Sequence, residues 1–200
     1  MKTFYINTVT LHTTIALFEG NQVVAEKRWK SELNEADTLN PEVDALLKSQ
    51  HLQNEDIQRL VVCVGPGGFT SSRVGVSAVN AWSFVKNTPV ATVSVFDLYD
   101  EKEMVIVLST NSQEAWVRFP GKDPQFISRE QFKSDSSFIF GGILQPEWKK
   151  HLEDLGGTYK KVEEQLPDIR PLEFRQEIVK PWYYKDANIT WSSRVHGKNS

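Results

Sequence analysis

The chain opens on closely spaced runs of β-forming residues. Lys2–Thr8, Thr13–Phe18 and Gln22–Trp29 each predict a short strand. Gly20-Asn21 suits a II′ hairpin turn, because glycine tolerates the positive φ of its first position. Three strands joined so closely form an antiparallel meander. The period then changes: Leu39, Val43, Leu46 and Leu47 fall at i, i+4, i+7 and i+8, the spacing of one helix face. Asn40-Pro41 offers that helix an N-cap and a first-turn proline, while Leu39 places its start earlier. Leu60–Val64 reads as a buried strand, broken by Gly65-Pro-Gly-Gly-Phe-Thr70. A second helix runs to about Lys86, and Pro89–Val95 predicts another strand.

The resulting order, β-β-β-α-β-α-β, predicts an α/β protein of the ribonuclease-H-like type, which is also one lobe of the actin-like ATPases (the ASKHA fold). In the second half, Met104–Ser109 and Glu114–Phe119 predict a strand pair turning at Asn111-Ser112. Ser137–Phe140 predicts a strand ending at Gly141-Gly142. Leu144, Trp148, Leu152 and Leu155 mark one amphipathic helix closed by Gly156-Gly157. Val162–Pro171 reads as a loop. The expected division is a lobe over 1–98, a smaller degenerate lobe over 99–191, and a polar tail over 192–200. No internal repeat is visible.

Composition narrows the function classes. The chain is 40% hydrophobic and 24% charged, enough for a real core. With 23 basic against 26 acidic residues and a net charge of −3, nucleic-acid binding by this chain alone is disfavoured. No apolar run reaches the roughly 18 residues of a membrane span, and Met1-Lys2-Thr3-Phe4 lacks a signal-peptide core, so a soluble cytoplasmic protein is expected. The one cysteine, Cys63, excludes an internal disulfide and reads as an inert thiol in an apolar strand. His12, His51, His151 and His196 have no metal-ligand spacing, so no metal site is expected.

The most distinctive segment is Gly65-Pro-Gly-Gly-Phe-Thr-Ser-Ser-Arg-Val-Gly75, between strand and helix. Its glycines permit close backbone approach by a ligand or partner, and the helix N-terminus favours an anion. It is neither a Walker A loop nor a nucleophile elbow. A tight strand-to-helix turn with nothing bound explains it equally well. Thr70 reads as the helix cap, and Ser71 and Ser72 have no visible His/Asp support. In the following helix Val74, Ala78, Ala81, Trp82 and Val85 form one apolar stripe, expected to be core. Val76, Val79 and Phe84 add apolar surface elsewhere, as a buried helix or a subunit interface would require. Trp182-Tyr183-Tyr184-Lys185 reads as an aromatic segment packed on the core.

The run Gly65–Ser77 resembles the Gly-Pro-Gly-Ser-Phe-Thr-Gly-Leu-Arg-Ile-Gly-x-Ser motif of the TsaB (YeaZ) family, without a gap. Phe4-Tyr-Ile-Asn-Thr8, Ile15–Gly20, Pro41–Leu47 and Pro89–Phe96 resemble further segments of that family, so the likeness covers residues 1–98. Beyond them only Tyr184–Thr190 is similar. Asn7 replaces a usual Asp, Ser71-Ser72 replaces Gly-Leu, and Glu35-Ala36-Asp37 stands at a His-Ser-Glu position. Ser109–Trp116 stands in for an Asp-Ala-Arg-x-Gly-Glu-Val-Tyr segment.

The resemblance implies a non-catalytic subunit that dimerises with TsaD in making threonylcarbamoyladenosine in tRNA. TsaE joins the pair, ATP and metal reside in TsaD, and tRNA is met only through the complex. This chain would carry no cofactor and no catalytic residue of its own, and would form a homodimer when alone. The expected partner interface is Pro41, Leu46, Gly67, Gly68, Phe69, Thr70, Arg73, Val76, Val79 and Asn80. A self-sufficient actin-fold kinase or peptidase-like enzyme would need a nucleotide site or nucleophile, and Asn7 and Ser109–Gln113 offer no acid for one. A homodimeric interaction protein outside tRNA modification is the third reading, kept open by the divergence of residues 99–180.

Overall fold

Alternation along the strands sends their side chains into different cores. In the computed structural model, which describes residues 1–30, 34–99, 101–134 and 136–184, the first strand is β1 (Lys2–Asn7). It directs Phe4 and Ile6 to one side and Tyr5 to the other. β2 (His12–Glu19) repeats this, with Ile15 and Leu17 opposite Ala16 and Phe18. β3 (Gln22–Lys30) pairs antiparallel with β2 as a largely exposed edge. Gly20 has φ 61°, as a II′ turn asks of its first residue.

α1 (Glu35–Ser49), β4 (Arg59–Gly65), α2 (Phe69–Lys86) and β5 (Val90–Ser94) follow. β4 lies parallel to β1, and β5 parallel to β4, giving the order β3-β2-β1-β4-β5. The ribonuclease-H-like order read from the sequence is the observed one. α1 begins at Glu35, so Pro41 is inside the helix rather than at its start. Pro41 and Asp37, whose carbonyl loses its i+4 donor, are both exposed, and water can serve that carbonyl.

The second half forms β6 (Val105–Ser109), β7 (Glu114–Arg118), β8 (Gln125–Ser128), β9 (Phe138–Ile143), α3 (Pro146–Asp154) and β10 (Gly157–Tyr159). Their order, β8-β7-β6-β9-β10, matches the first sheet strand for strand, with the first two pairings antiparallel and the last two parallel. The fold therefore repeats although the sequence shows no repeat. β9 continues through Gly141-Gly142 instead of ending there, and β8 and β10 carry no apolar pattern long enough to announce them. The polar tail expected over 192–200 lies outside the described residues.

Three cores result. α1 and α2 cover Phe4, Ile15, Leu60 and Val62 on the outer face of the first sheet. The inner faces of both sheets share Tyr5, Val61, Cys63, Ile106 and Leu108. α3 places Trp148 and Leu152 over Val105, Val107 and Phe140 on the outer face of the second sheet. The chain then returns to the first sheet, where Arg175 exchanges backbone hydrogen bonds with Val90.

Candidate functional site

The glycine-rich loop is built around contacts that leave no room for side chains. Gly65 has φ 131°, and a Cβ there would lie 1.9 Å from the Trp182 carbonyl oxygen. A Cβ on Gly67 would lie 2.2 Å from Val9 Cγ1. Gly68 differs: it has φ −61° as the N-cap, and its nearest neighbour is Ser71 Oγ at 3.2 Å. The requirement for glycine thus falls on Gly65 and Gly67, not on Gly68. Thr70 is the second helical residue and not the cap.

The loop's immediate neighbour is the chain's own C-terminal segment. Trp182 N–H donates to the Val64 carbonyl (2.7 Å), Gly67 N–H to the Trp182 carbonyl (3.2 Å), and Tyr184 N–H to the Gly67 carbonyl (3.1 Å). The Gly67 N–H that an anion would use is therefore engaged. Trp182 also meets Trp116 of the second sheet edge-on at 4.8 Å, and Trp116 Nε1–H donates to the Tyr184 carbonyl. Trp182–Tyr184 pack on the body as the sequence suggested; Lys185 lies outside the described residues.

A second clamp seats α2. The Thr8 hydroxyl donates to the Ser71 carbonyl (2.6 Å) and accepts from Gly75 N–H (3.1 Å). A Cβ on Gly75 would come 2.7 Å from that hydroxyl oxygen. This close approach fixes the helix's rotation. Ser72, Gly75, Val76, Val79 and Ser83 form its buried stripe.

That stripe corrects the expected one. Val76 and Val79 are 3% and 0% exposed, and Leu46 on α1 is 6% exposed, so all three are core residues unavailable to a partner. Val74, Ala78 and Trp82 sit half-buried at the margin, and Ala81 and Val85 are exposed. Hydrophobicity misled because small polar or side-chain-free residues, Ser72, Gly75 and Ser83, share the buried face, with Gly75 closest to Thr8 and Ile6. Asn80 is also spent internally: its amide exchanges two hydrogen bonds of 2.9 Å with the Val179 backbone.

Phe69, Thr70 and Arg73 do reach a surface feature. They line a groove of about 540 Å³ between α1 and α2, with Leu39, Ser77 and Ala78. The Arg73 guanidinium stacks 4.0 Å from the Phe69 ring centroid, and Arg73 Nε–H donates to Tyr183 Oη at 2.8 Å. Tyr183 in turn packs on Phe69 with centroids 4.9 Å apart. Pro41 is exposed on α1, outside the groove lining. The expected interface did not include Ser77, and Val85, expected in the core stripe, is exposed, whereas Ala78 packs half-buried against the core. Further along α2, Phe84 and Val85 are 89% and 73% exposed.

The candidate chemistry elsewhere is closed on itself. Asn7 Oδ1 accepts from Val9 N–H, and Asn7 Nδ2 donates to Thr10 Oγ1, both at 2.9 Å, so its amide braces the β1–β2 turn. Asn111 Oδ1 accepts from the Gln113 and Glu114 N–H groups in the corresponding β6–β7 turn. Cys63 is buried, and burial pushes its thiol up to about 12. Among the described residues no cluster of three or more His, Cys, Asp and Glu side chains could hold a metal ion. Nor is any described helix long and apolar enough to cross a membrane.

Comparison with known proteins gives concordant matches. A family model described as TsaD, tRNA N6-adenosine threonylcarbamoyltransferase, matches residues 30–105. The tRNA threonylcarbamoyladenosine biosynthesis protein TsaB of Bacillus subtilis (strain 168) is 29% identical over 94 residues. That match covers 47% of this chain and 41% of the relative, so it spans about two-fifths of the relative's length. The fold is similar to YeaZ from Pseudomonas aeruginosa, with a TM-score of 0.64 at 15% identity over 84% of this chain and 85% of that one. It is also similar to an uncharacterized protein with similarity to peptidase YEAZ from Pseudomonas aeruginosa. There the TM-score is 0.71 at 14% identity, over 92% of this chain and 99% of that one. With the strand order β3-β2-β1-β4-β5, these matches show a chain similar in sequence to TsaB over about half its length and similar in fold to YeaZ.

Proposed function

We propose that the chain is a non-catalytic scaffold in tRNA threonylcarbamoyladenosine biosynthesis, pairing with TsaD through the α1–α2 face. The observation that carries this reading is the groove lined by Leu39, Phe69, Arg73, Ser77 and Ala78, continued along α2 by exposed Phe84 and Val85. Exposed apolar side chains beside a helix–helix groove suit a partner that lays its own helices alongside. The name of the Bacillus subtilis relative supplies the pathway.

Asn7 supports the non-catalytic part. Its amide is committed to a turn, and an amide cannot serve as a general base at neutral pH. In this reading ATP and metal belong to TsaD, the chain needs no cofactor, and TsaE joins the assembled pair. tRNA is met only through that assembly, and a homodimer using the same face forms when the chain is alone.

Reconstitution with TsaD, TsaE and the threonylcarbamoyl-donor-forming enzyme of the same organism tests the proposal. Modified adenosine in tRNA should require this chain, while the chain alone should hydrolyse no ATP. Full modification without the chain, or ATP turnover by the chain that a substitution within it abolishes, would overturn the reading.

A further inference from the structure

A second concavity lies away from the α1–α2 groove and shares no residue with it. It opens between the 3-10 turn Val95–Leu98, the β7–β8 connection and the loop over 165–172, with a volume of about 760 Å³. This is within the size range of small-molecule sites. Phe119, Leu166 and Leu172 supply apolar walls, and Lys102, Arg118 and Lys122 supply charge.

The charges are unbalanced. Arg118 is half-buried, and its two terminal nitrogens donate to neutral carbonyls, Nη1 to Phe96 (2.8 Å) and Nη2 to Tyr99 (3.2 Å). Neither lysine forms an ion pair among the described residues. The two lining carboxylates are otherwise committed. Asp97 accepts from Ser94 N–H and Oγ–H, and Asp168 is bound bidentately by Arg170. Arg118 makes no direct ion pair among the described residues, Asp97 acting on it only at a distance, so an incoming anion in contact would further offset the cost of its burial. Burial lowers the Arg118 pKa, and the Asp97 carboxylate offsets this only in part.

We propose that this cavity binds a small oxyanion, carboxylate or phosphate, carried on an apolar body. The anion sits among Lys102, Arg118 and Lys122, and the apolar body lies against Phe119, Leu166 and Leu172. The proposal is independent of pairing with TsaD.

Titration calorimetry of the full chain with phenyl phosphate, phenylacetate and inorganic phosphate tests it, with amide NMR shifts locating the site. Phenyl phosphate or phenylacetate should bind saturably and at least ten-fold tighter than inorganic phosphate. The tighter of the two identifies the preferred oxyanion. Amides of Gly121 and Leu172 should shift, and the exposed double substitution Lys102→Ala/Lys122→Ala should weaken binding at least ten-fold. Arg118→Lys, which keeps the charge and loses the planar fork, should weaken binding less than the double variant. No saturable binding by either aryl probe, binding no tighter than inorganic phosphate, or affinity unchanged in the double variant would overturn the proposal.

Discussion

The two sheets share one strand order but differ in what covers them. The first carries α1 and α2 on its outer face, and α2 alone has 18 residues. The second has no α-helix between β8 and β9 among the described residues, and α3 has only nine residues. α3 is just long enough to set Trp148 and Leu152 over its core. α2 extends past its buried stripe and leaves Phe84 and Val85 in solvent. Covering a five-stranded sheet therefore needs little helix, and the apolar surplus on the first lobe is free for another molecule.

The lobes also share a connection geometry. In each, a hydroxyl near the end of the sheet's first strand ties down the chain where it leaves the parallel strand beside it, β4 or β9. Thr8 does so toward Ser71 and Gly75, and Ser109 donates to the Ile143 carbonyl while accepting from Gln145 N–H. β4 and β9 each also carry a positive-φ glycine against backbone, Gly65 at 131° and Gly142 at 117°.

This equivalence is most severely tested at those glycines. Gly65→Val and Gly142→Val combine a forbidden φ with Cβ positions 1.9 Å and 2.3 Å from carbonyl oxygens. Each should cost on the order of 4–5 kcal/mol or prevent folding, read by urea denaturation. Gly68→Val, where φ is ordinary and the only close neighbour, Ser71 Oγ at 3.2 Å, is a side chain that can turn aside, should stay within about 1 kcal/mol of wild type. A severe loss at Gly68 with mild effects at the other two would break the comparison.

Core substitutions come next. Val76→Glu places an unpaired charge in the first lobe's core and should cost about 3–5 kcal/mol. Trp148→Ala should cost a similar ~3–5 kcal/mol in the second lobe, through lost burial and a cavity. If Val76→Glu melts like wild type, the rotation assigned to α2 is wrong.

Smaller effects sharpen the parallel between connections. Thr8→Ala and Ser109→Ala each remove one donor and orphan one N–H, so each should cost about 1–3 kcal/mol by chemical denaturation. A large cost at one and none at the other would show that the lobes solve this junction differently. Cys63 gives a pH test with little effect at neutral pH. Its folded pKa is raised, so its contribution is fully present below the unfolded thiol value of about 8.5. It is lost as pH climbs from there toward about 12. The thiol should resist Ellman's reagent at pH 8 in the folded chain and react on unfolding; fast native reaction would contradict its burial.

Most of the first lobe was legible because its strands are apolar and its breaks are glycine-rich. Ile15–Phe18 and Leu60–Val64 announce themselves, and the Gly65–Ser77 motif located both loop and helix. The rotation of α2 was not legible, since Thr8 seats the helix through Gly75 and the Ser71 carbonyl, groups that a hydrophobic pattern does not score. The edge strands of the second sheet were equally hidden, because β8 and β10 are only four and three residues long, too short for an apolar alternation to show. Of the expected interface, Phe69, Thr70 and Arg73 lie in the groove, and all three belong to the Gly65–Ser77 motif itself. Tyr183 completes that corner from far along the chain, a contact that only tertiary structure brings together.

The central claim is that the surplus face of the first lobe docks TsaD. Sedimentation velocity of the chain mixed with TsaD, alongside melting temperature, tests it with Ser77→Arg, an exposed groove residue one turn beyond Arg73. The wild-type chain should form a heterodimer. The variant should melt within about 2 °C of wild type, as surface substitutions do, yet lose at least ten-fold in pairing affinity. A folded Ser77→Arg variant that pairs with TsaD as tightly as wild type would contradict the account.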